Sequence, residues 1–326
     1  MLSAADPQRQ LRFARAVTPA GTPADGVVQA GRFTCLGAVM PPGRTTIADL
    51  LPDWPRNLAR LRAALSGQRA AGQDPGASWP VSSTRLLPPV TPRQIFQVAL
   101  NYADHAAEMD LPIPRQPFVF AGLPSAICGP GDDIVLPSAG NHDWELELAV
   151  VIRRRARHVG RAEAAGCVAG YTIANDLTTR DRLRRAGPGR TDYLAAKNAP
   201  TFLPVGPFLV PADEVDVAGL PLILSVNGQV MQRGSTADMV FDVPGLIAAL
   251  SDQVELLPGD LLLTGTPAGT GQARGRFLQP GDVIEATIGD LGQQRNRCVA
   301  EQVPDSRPVP RPAGAVTPGT QRAEHT

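Results

Sequence analysis

The stretch at residues 144–152, Trp-Glu-Leu-Glu-Leu-Ala-Val-Val-Ile, restricts the possible folds more than any other part of this chain. It alternates polar and apolar residues and then turns apolar at every position, the pattern of a strand that enters the middle of a sheet. Side chains alternate between the two faces of an extended strand, so Glu145 and Glu147 share one face while Trp144, Leu146 and Leu148 share the other. Two like charges buried side by side cost on the order of several kcal/mol each unless a cation or strong donors compensate them. A divalent metal would do so. The same alternation also suits a half-exposed strand whose outward positions are simply Glu, so the decision rests on the rest of the chain.

At 326 residues and 43% hydrophobic content, the chain can bury one large core, or a large and a small one. Its 31 basic and 31 acidic side chains balance to zero, and no basic stripe is present, which weighs against nucleic acid or an anionic membrane as partner. The one dense basic run, at residues 153–157, directly follows the buried strand and reads as a solvated turn. Cys35, Cys128, Cys167 and Cys298 are scattered through apolar surroundings and read as small buried hydrophobes in a reducing compartment. No apolar run reaches the roughly 18 residues of a membrane helix, and residues 1–10 lack the charged-then-apolar order of a signal. The expected compartment is the cytoplasm.

Lys197 is the only lysine among the 31 basic residues. Lysine offers a compact ammonium of tunable pKa where arginine offers a fixed planar fork, so Lys197 is a candidate for chemistry as well as a chance survivor.

Residues 1–90 have a texture of their own: short strands at 11–16 and 33–39 with Ala-Asp-Gly and Gly-Arg turns between them, a helical pattern at 47–64, and a Gly, Ser and Pro-rich linker at 67–80. This region is expected to be a small packing or dimer-facing domain. From Pro92 onward the expectation is mainly β, with strands at 95–100, 167–174, 222–226 and 283–288, an Asn227-Gly228 hairpin turn and a helix at 243–251. Three Pro-Gly-Asp triplets, at 130–132, 258–260 and 280–282, fit type II turns that each launch a strand. Residues 303–326 have no apolar period and read as a flexible tail.

Asp176 stands where the strand-like residues 171–175 meet a loop, and could act there as a cap or turn residue. Set beside Glu145 and Glu147, it would complete an all-oxygen triad, the ligand set of magnesium at about 2.0 to 2.1 Å. His105 and Glu108, at i and i+3 of a short helix capped by Asn101 or Asp104, have the form of a general base and its orienting partner, or of an inconsequential surface pair. The glycine-rich residues 263–271 follow a strand but lack a Walker ending. They read as a tight loop presenting backbone amides and the Thr266 hydroxyl to a substrate carboxylate.

These residues carry a resemblance. Asn-Tyr-x-x-His-x-x-Glu at 101–108, Asp-Trp-Glu-x-Glu-Leu-Ala-Val-Val-Ile at 143–152, Ala-Gly-Tyr-Thr-x-Ala-Asn-Asp-x-x-x-Arg-Asp at 169–181, Lys197 and Leu-Thr-Gly-Thr-Pro-x-Gly at 263–269 together resemble the fumarylacetoacetate hydrolase family. The resemblance implies an α+β, mainly β fold: a mixed β-roll catalytic domain at 91–302 behind the small N-terminal domain at 1–90. It further implies a homodimer and a magnesium or manganese ion held by Glu145, Glu147 and Asp176. His105 and Glu108 would lie on a lid and activate water, Lys197 would face the developing oxyanion, and Arg180 and Thr266 would contact the substrate carboxylate. Two positions depart from the family: Lys197-Asn198-Ala199-Pro200 replaces Lys-Ser-Phe, and Val98 stands where animal fumarylacetoacetases place a further Asp ligand. The second departure argues against fumarylacetoacetate itself.

The expectation is therefore a magnesium-dependent hydrolase of a carbon-carbon bond in an acylpyruvate-like β-diketo acid. A 2-oxo acid decarboxylase, isomerase or dehydratase on the same site is the nearest alternative, and a non-catalytic 2-oxo acid binder a more distant one.

Overall fold

A computed structural model of the protein describes residues 10–70, 77–184 and 191–302. The expected tail and part of the expected linker lie outside these residues. As its apolar run requires, every residue of the strand Leu146–Ile152 is buried. It pairs antiparallel with Val168–Asn175 on one side and Leu261–Leu263 on the other. Leu261–Leu263 runs parallel to Ile95–Ala99, which pairs antiparallel with Phe118–Gly122, and Val210–Pro211 flanks Val168–Asn175. The result is a six-stranded mixed sheet.

The period of two along the central strand divides the interior. Trp144, Leu146, Leu148, Val150 and Ile152 pack into one core with Leu222, Leu224, Ile284 and Ile288 of a second sheet, which has five strands ordered Gln229–Ser235, Pro221–Val226, Val283–Ile288, Gln293–Ala300 and Ile134–Leu136. Ala149 and Val151 face the other way, into a core shared with Phe13, Trp54, Leu58 and Leu61 of the N-terminal region. Glu145 and Glu147 continue this second face and line a cavity. The fold is α+β and mainly β.

The N-terminal region forms a five-stranded antiparallel sheet, ordered Ser78–Pro80, Arg32–Cys35, Pro23–Gln29, Arg12–Val17 and Leu86–Leu87. The helix Trp54–Ala70 accompanies it. Trp54 donates its indole N–H to the Ala169 carbonyl at 2.8 Å, and Phe13 exchanges backbone hydrogen bonds with Leu209.

Three N-terminal expectations need correction, the first being the linker at 67–80, of which 67–70 end the helix Trp54–Ala70 and 78–80 form an edge strand. Ala24-Asp25-Gly26 is strand, not turn: the Asp25 carboxylate accepts the Ile47 amide at 2.7 Å, and the Phe33 ring lies where a Cβ on Gly26 would be, 2.4 Å away. Residues 36–39 are a helical turn rather than the end of a strand.

The three Pro-Gly-Asp triplets each launch a strand, Ile134–Leu136, Leu261–Leu263 and Val283–Ile288. In each, the aspartate reaches back to the amide three residues earlier, of Gly129, Leu257 and Gln279, at 2.7, 2.7 and 2.9 Å. Gly259 and Gly281 take the positive φ of a type II turn, 89° and 101°, whereas Gly131 does not. Asn227 and Gly228, with φ of 51° and 79°, close the expected hairpin as a type I′ turn.

Candidate active site and metal centre

Glu145, Glu147 and Asp176 converge. Each offers a carboxylate oxygen, and these atoms lie within 4.8 Å of one another. The strand pairing places them: Leu146 sits opposite Asn175, so Asp176, the next residue, comes level with Glu145 and donates its amide to the Glu145 carbonyl at 2.8 Å. All three side chains are buried.

Lys197 ends the helix Tyr193–Lys197, whose first turn is capped by Asp192 accepting the Ala195 amide. Its ammonium donates to Glu145 Oε2 at 2.7 Å and to Asp176 Oδ2 at 2.6 Å. Arg180 pairs through Nη2 with Glu145 Oε1 at 2.7 Å and donates through Nε to Asp143 Oδ2 at 2.7 Å. Burial opposes ionisation of Glu145, but Lys197 and Arg180 outweigh it and hold this carboxyl down at about 2. Burial pushes Asp176 up to about 6 even against Lys197. Glu147 is raised well above its ordinary range, by burial and by the charges of Asp176 and Glu145. Lys197 stays charged: the facing carboxylates more than offset its burial.

The charge count supports a divalent cation. With all four ionised, as metal ligation requires of the triad, Asp143, Glu145, Glu147 and Asp176 would bring four negative charges to this cluster, against two positive charges from Lys197 and Arg180. An ion such as magnesium or manganese would close the difference, and the donors are all oxygen, as those ions prefer.

His105 and Glu108 lie on the helix Ala103–Glu108, bracketed by Leu100 and Asp110, both non-glycine residues at φ 54°. His105 Nδ1 stands 3.4 Å from Glu108 Oε2. Burial would raise Glu108, but His105 and the amides of Gly269 and Thr270 win and lower it. The expected helix caps have other duties. Asn101 donates to the carbonyls of Phe241 and Thr264, at 2.9 and 2.8 Å, and Asp104 accepts the Ala268 amide at 3.2 Å.

The glycine-rich loop also differs from expectation. Its amides meet the protein's own carboxylates rather than an open surface: Gly265 donates to Glu147 at 2.6 Å, Gly269 to Glu108 at 2.7 Å, and Gly271 to Asp143 at 2.6 Å. Thr266 lines the cavity, but its hydroxyl proton goes to the Leu146 carbonyl at 2.9 Å. The loop is a latch joining the short helix to the carboxylate strand.

All the site residues expected from the sequence except Glu108 line one cavity of about 210 Å³, and Glu108 stands behind His105. Two further residues went unrecognised. Asp143 is fully buried and anchors Arg180, Gly271 and Gln272. Its position two before Glu145 continues the alternation of acids and was the available signal. Gln97 donates to Asp176 Oδ1 at 2.5 Å. A lone amide inside the apolar strand Ile95–Ala99 was its only mark.

Comparison with known proteins identifies the family. Residues 94–299 match the family model described as fumarylacetoacetate (FAA) hydrolase, C-terminal. The chain is 39% identical over 270 residues to oxaloacetate tautomerase FAHD2A, mitochondrial, of Homo sapiens, covering 81% of this chain and 83% of that protein. It is 44% identical over 209 residues to 2,4-didehydro-3-deoxy-L-rhamnonate hydrolase of Sphingomonas sp. (strain SKA58), covering 63% of this chain and 72% of that one. The crystal structure of maleylpyruvate hydrolase from Sphingobium sp. SYK-6, in complex with manganese(II) and pyruvate, superposes with a TM-score of 0.71 at 30% identity, covering 89% of this chain and 100% of that chain. With its family-model match spanning the triad, the lysine and the latch loop, the chain belongs to the fumarylacetoacetate hydrolase family.

Proposed function

We propose that the protein is a divalent-metal-dependent hydrolase that cleaves a carbon-carbon bond in a 2-oxo acid bearing a second carbonyl at C4. The observation that carries this is the buried triad of Glu145, Glu147 and Asp176 in one cavity with His105 and Lys197. When bound by the triad, magnesium or manganese supplies a Lewis acid for the 2-oxo-carboxylate end and takes up enolate charge. The manganese and pyruvate in the maleylpyruvate hydrolase structure support that pairing of ion and ligand.

The chain's own residues supply the rest. His105 accepts a proton from water, and Glu108 stabilises the imidazolium that results, a device typically worth about 10² to 10⁴ in rate. The hydroxide adds to the C4 carbonyl, whose developing negative charge is met by the fixed cation of Lys197. Lys197 takes the role of charge stabiliser and His105 that of base, because the Lys197 ammonium is held by Glu145 and Asp176 while His105 has Glu108 beside it. The C3–C4 bond then breaks with its electron pair moving to C3, and His105 returns the proton there. Pyruvate and a carboxylic acid leave.

One observation favours a second reading. The alignment with the oxaloacetate tautomerase takes in 81% of the chain, beyond the family model's own span. In a tautomerase the same His105–Glu108 pair would move a proton between C3 and the enol oxygen and no water would add. The test is to follow a 2,4-dioxo acid and oxaloacetate with manganese or magnesium present, reading both ultraviolet absorbance and pyruvate released. Pyruvate appearing in step with loss of the dioxo acid is expected. Absorbance change with oxaloacetate enol and no pyruvate from the dioxo acid would replace hydrolysis by tautomerisation.

A further inference from the structure

The large apolar side chains left exposed are concentrated in one part of the molecule. Leu111, Ile113, Phe118, Leu123 and Leu194 are between 40% and 64% exposed, and among the described residues Val230 is the one other of this kind. Leu111 and Phe118 line the catalytic cavity, and Leu194 follows Tyr193, which lines it too. An apolar rim on a polar cavity is costly to hydrate and marks a surface that something covers.

Aromatic rings continue this rim inward. Phe120 stacks on Tyr193 with centroids 3.9 Å apart and planes 15° apart, and Phe118 meets the same tyrosine at 5.8 Å. The Lys197 ammonium lies 5.7 Å from the centroid of Phe120. The aromatic wall therefore begins beside the group assigned to the attacked carbonyl and runs to the mouth.

Among the described residues, the buried cations of the cavity are already engaged. Arg180 is held by Asp143 and Glu145, and Lys197 by Glu145 and Asp176. Apart from His105, the remaining basic residue of the described lining is Arg184, exposed at the rim. Among the described residues, a second carboxylate on the substrate would enter this wall without a buried, unengaged cation to meet it, at a cost that an apolar group does not incur.

We propose that Phe118, Phe120 and Tyr193 form a subsite for an alkyl or aryl group at the far end of the 2-oxo acid, in preference to a second carboxylate. The proposal rests on the reading that the triad takes the 2-oxo-carboxylate end.

Calorimetric titration of the manganese-loaded protein with pyruvate, 2-oxo-4-phenylbutanoate and 2-oxoadipate tests it without requiring turnover, since none of the three has a C4 carbonyl. The phenyl acid is expected to bind about tenfold tighter than either of the others. In Phe118→Ala and Tyr193→Ala that ratio is expected to fall to within about threefold. Equal affinities in the native protein, a preference for 2-oxoadipate, or a ratio unchanged in both variants would overturn the subsite. So would a ratio unchanged in Phe118→Ala together with conversion of a dimer to monomer in sedimentation, which would assign the rim to a second copy of the chain. Failure of all three acids to bind would remove the 2-oxo acid reading and the subsite with it. A tenfold preference in a protein that releases no pyruvate from a 2,4-dioxo acid would sustain the subsite and overturn only the hydrolase reading.

Discussion

Glu147 carries the least compensated charge in the cavity. Among the described residues its single strong donor is the Gly265 amide, whereas Glu145 has both Lys197 and Arg180 and Asp176 has Lys197 and Gln97. Burial first, and then the charges of Asp176 and Glu145, raise it well above the ordinary carboxylate range, and burial raises Asp176 to about 6. A carboxyl raised in the folded state favours folding while it is protonated. That contribution is complete below the unfolded value of about 4 and is lost as pH rises through the folded value. Glu145, held at about 2, has the opposite sign, and its contribution is lost only below the ordinary range, outside this window. The metal-free protein should therefore lose stability as pH rises from about 4 through about 6 on account of Asp176, with Glu147 adding to that loss as it ionises above the ordinary carboxylate range, and manganese should raise the melting temperature more at about pH 7.5 than at about pH 5.5. Glu147→Gln should abolish most of the manganese response while leaving the metal-free protein at least as stable as the native one at neutral pH. Thermal melts of both proteins, with and without manganese, check this, and a full manganese response in Glu147→Gln would remove it from the ligand set. The shared face of Glu145 and Glu147 was legible in the sequence because the period of a strand is two whatever the fold. Gln97 was not, because its partner Asp176 immediately follows Val168–Asn175, a strand that is not the neighbour of Ile95–Ala99 in the sheet.

The latch loop shows why some roles escape a reading of residue types. Its chemistry resides in backbone amides, and the direction of an amide is set by φ and ψ rather than by the side chain. Gly265 and Gly269, at φ 90° and 104°, turn their N–H groups onto Glu147 and Glu108, joining the carboxylate strand to the His105 helix. A Cβ on Gly269 would stand 2.1 Å from the Met231 carbonyl oxygen, while one on Gly275, at φ 64°, would meet nothing within 4 Å. Gly275→Ala should therefore cost only the left-handed backbone, about 1 to 2 kcal/mol. Gly269→Ala should cost more, because the loop must also move, and turnover should fall with it as Glu108 loses its donor. Paired chemical melts and rate measurements decide it, and a Gly269→Ala enzyme as stable and active as Gly275→Ala would show that the latch does not position Glu108. The Pro-Gly-Asp turns, by contrast, were legible because each is specified within four consecutive residues. Asp25 and Gly26 look like a turn for the same local reason, and only the distant partners Ile47 and Phe33 make them strand.

At the scale of the whole molecule, the N-terminal region behaves as one wall of the catalytic sheet. Its different texture suggests a small separate unit, since composition and turn signals do change near Pro92. Yet Ala149 and Val151 of the carboxylate strand, with Leu261 and Leu263 beside them, share their core with Phe13, Trp54, Leu58 and Leu61. The period of two showed that a second face was apolar there, but not which part of the chain would cover it, because that depends on contacts far apart in sequence. Trp54 tests the coupling. Its ring packs against Phe13 at 5.0 Å between centroids, and its indole N–H satisfies the carbonyl of Ala169, in the strand that pairs with the carboxylate strand. Trp54→Ala would leave a large cavity and an unpaired carbonyl, at a cost of about 3 to 5 kcal/mol. If the two regions share one cooperative core, unfolding stays a single transition with its midpoint lowered, followed alike by far-ultraviolet circular dichroism and by loss of bound manganese. Two separated transitions, the first without loss of manganese, would mean that the catalytic sheet holds its shape without the N-terminal wall. A fragment of residues 91–302 should then also fold and bind metal, whereas a shared core predicts that it aggregates through the uncovered Ala149, Val151, Leu261 and Leu263 face.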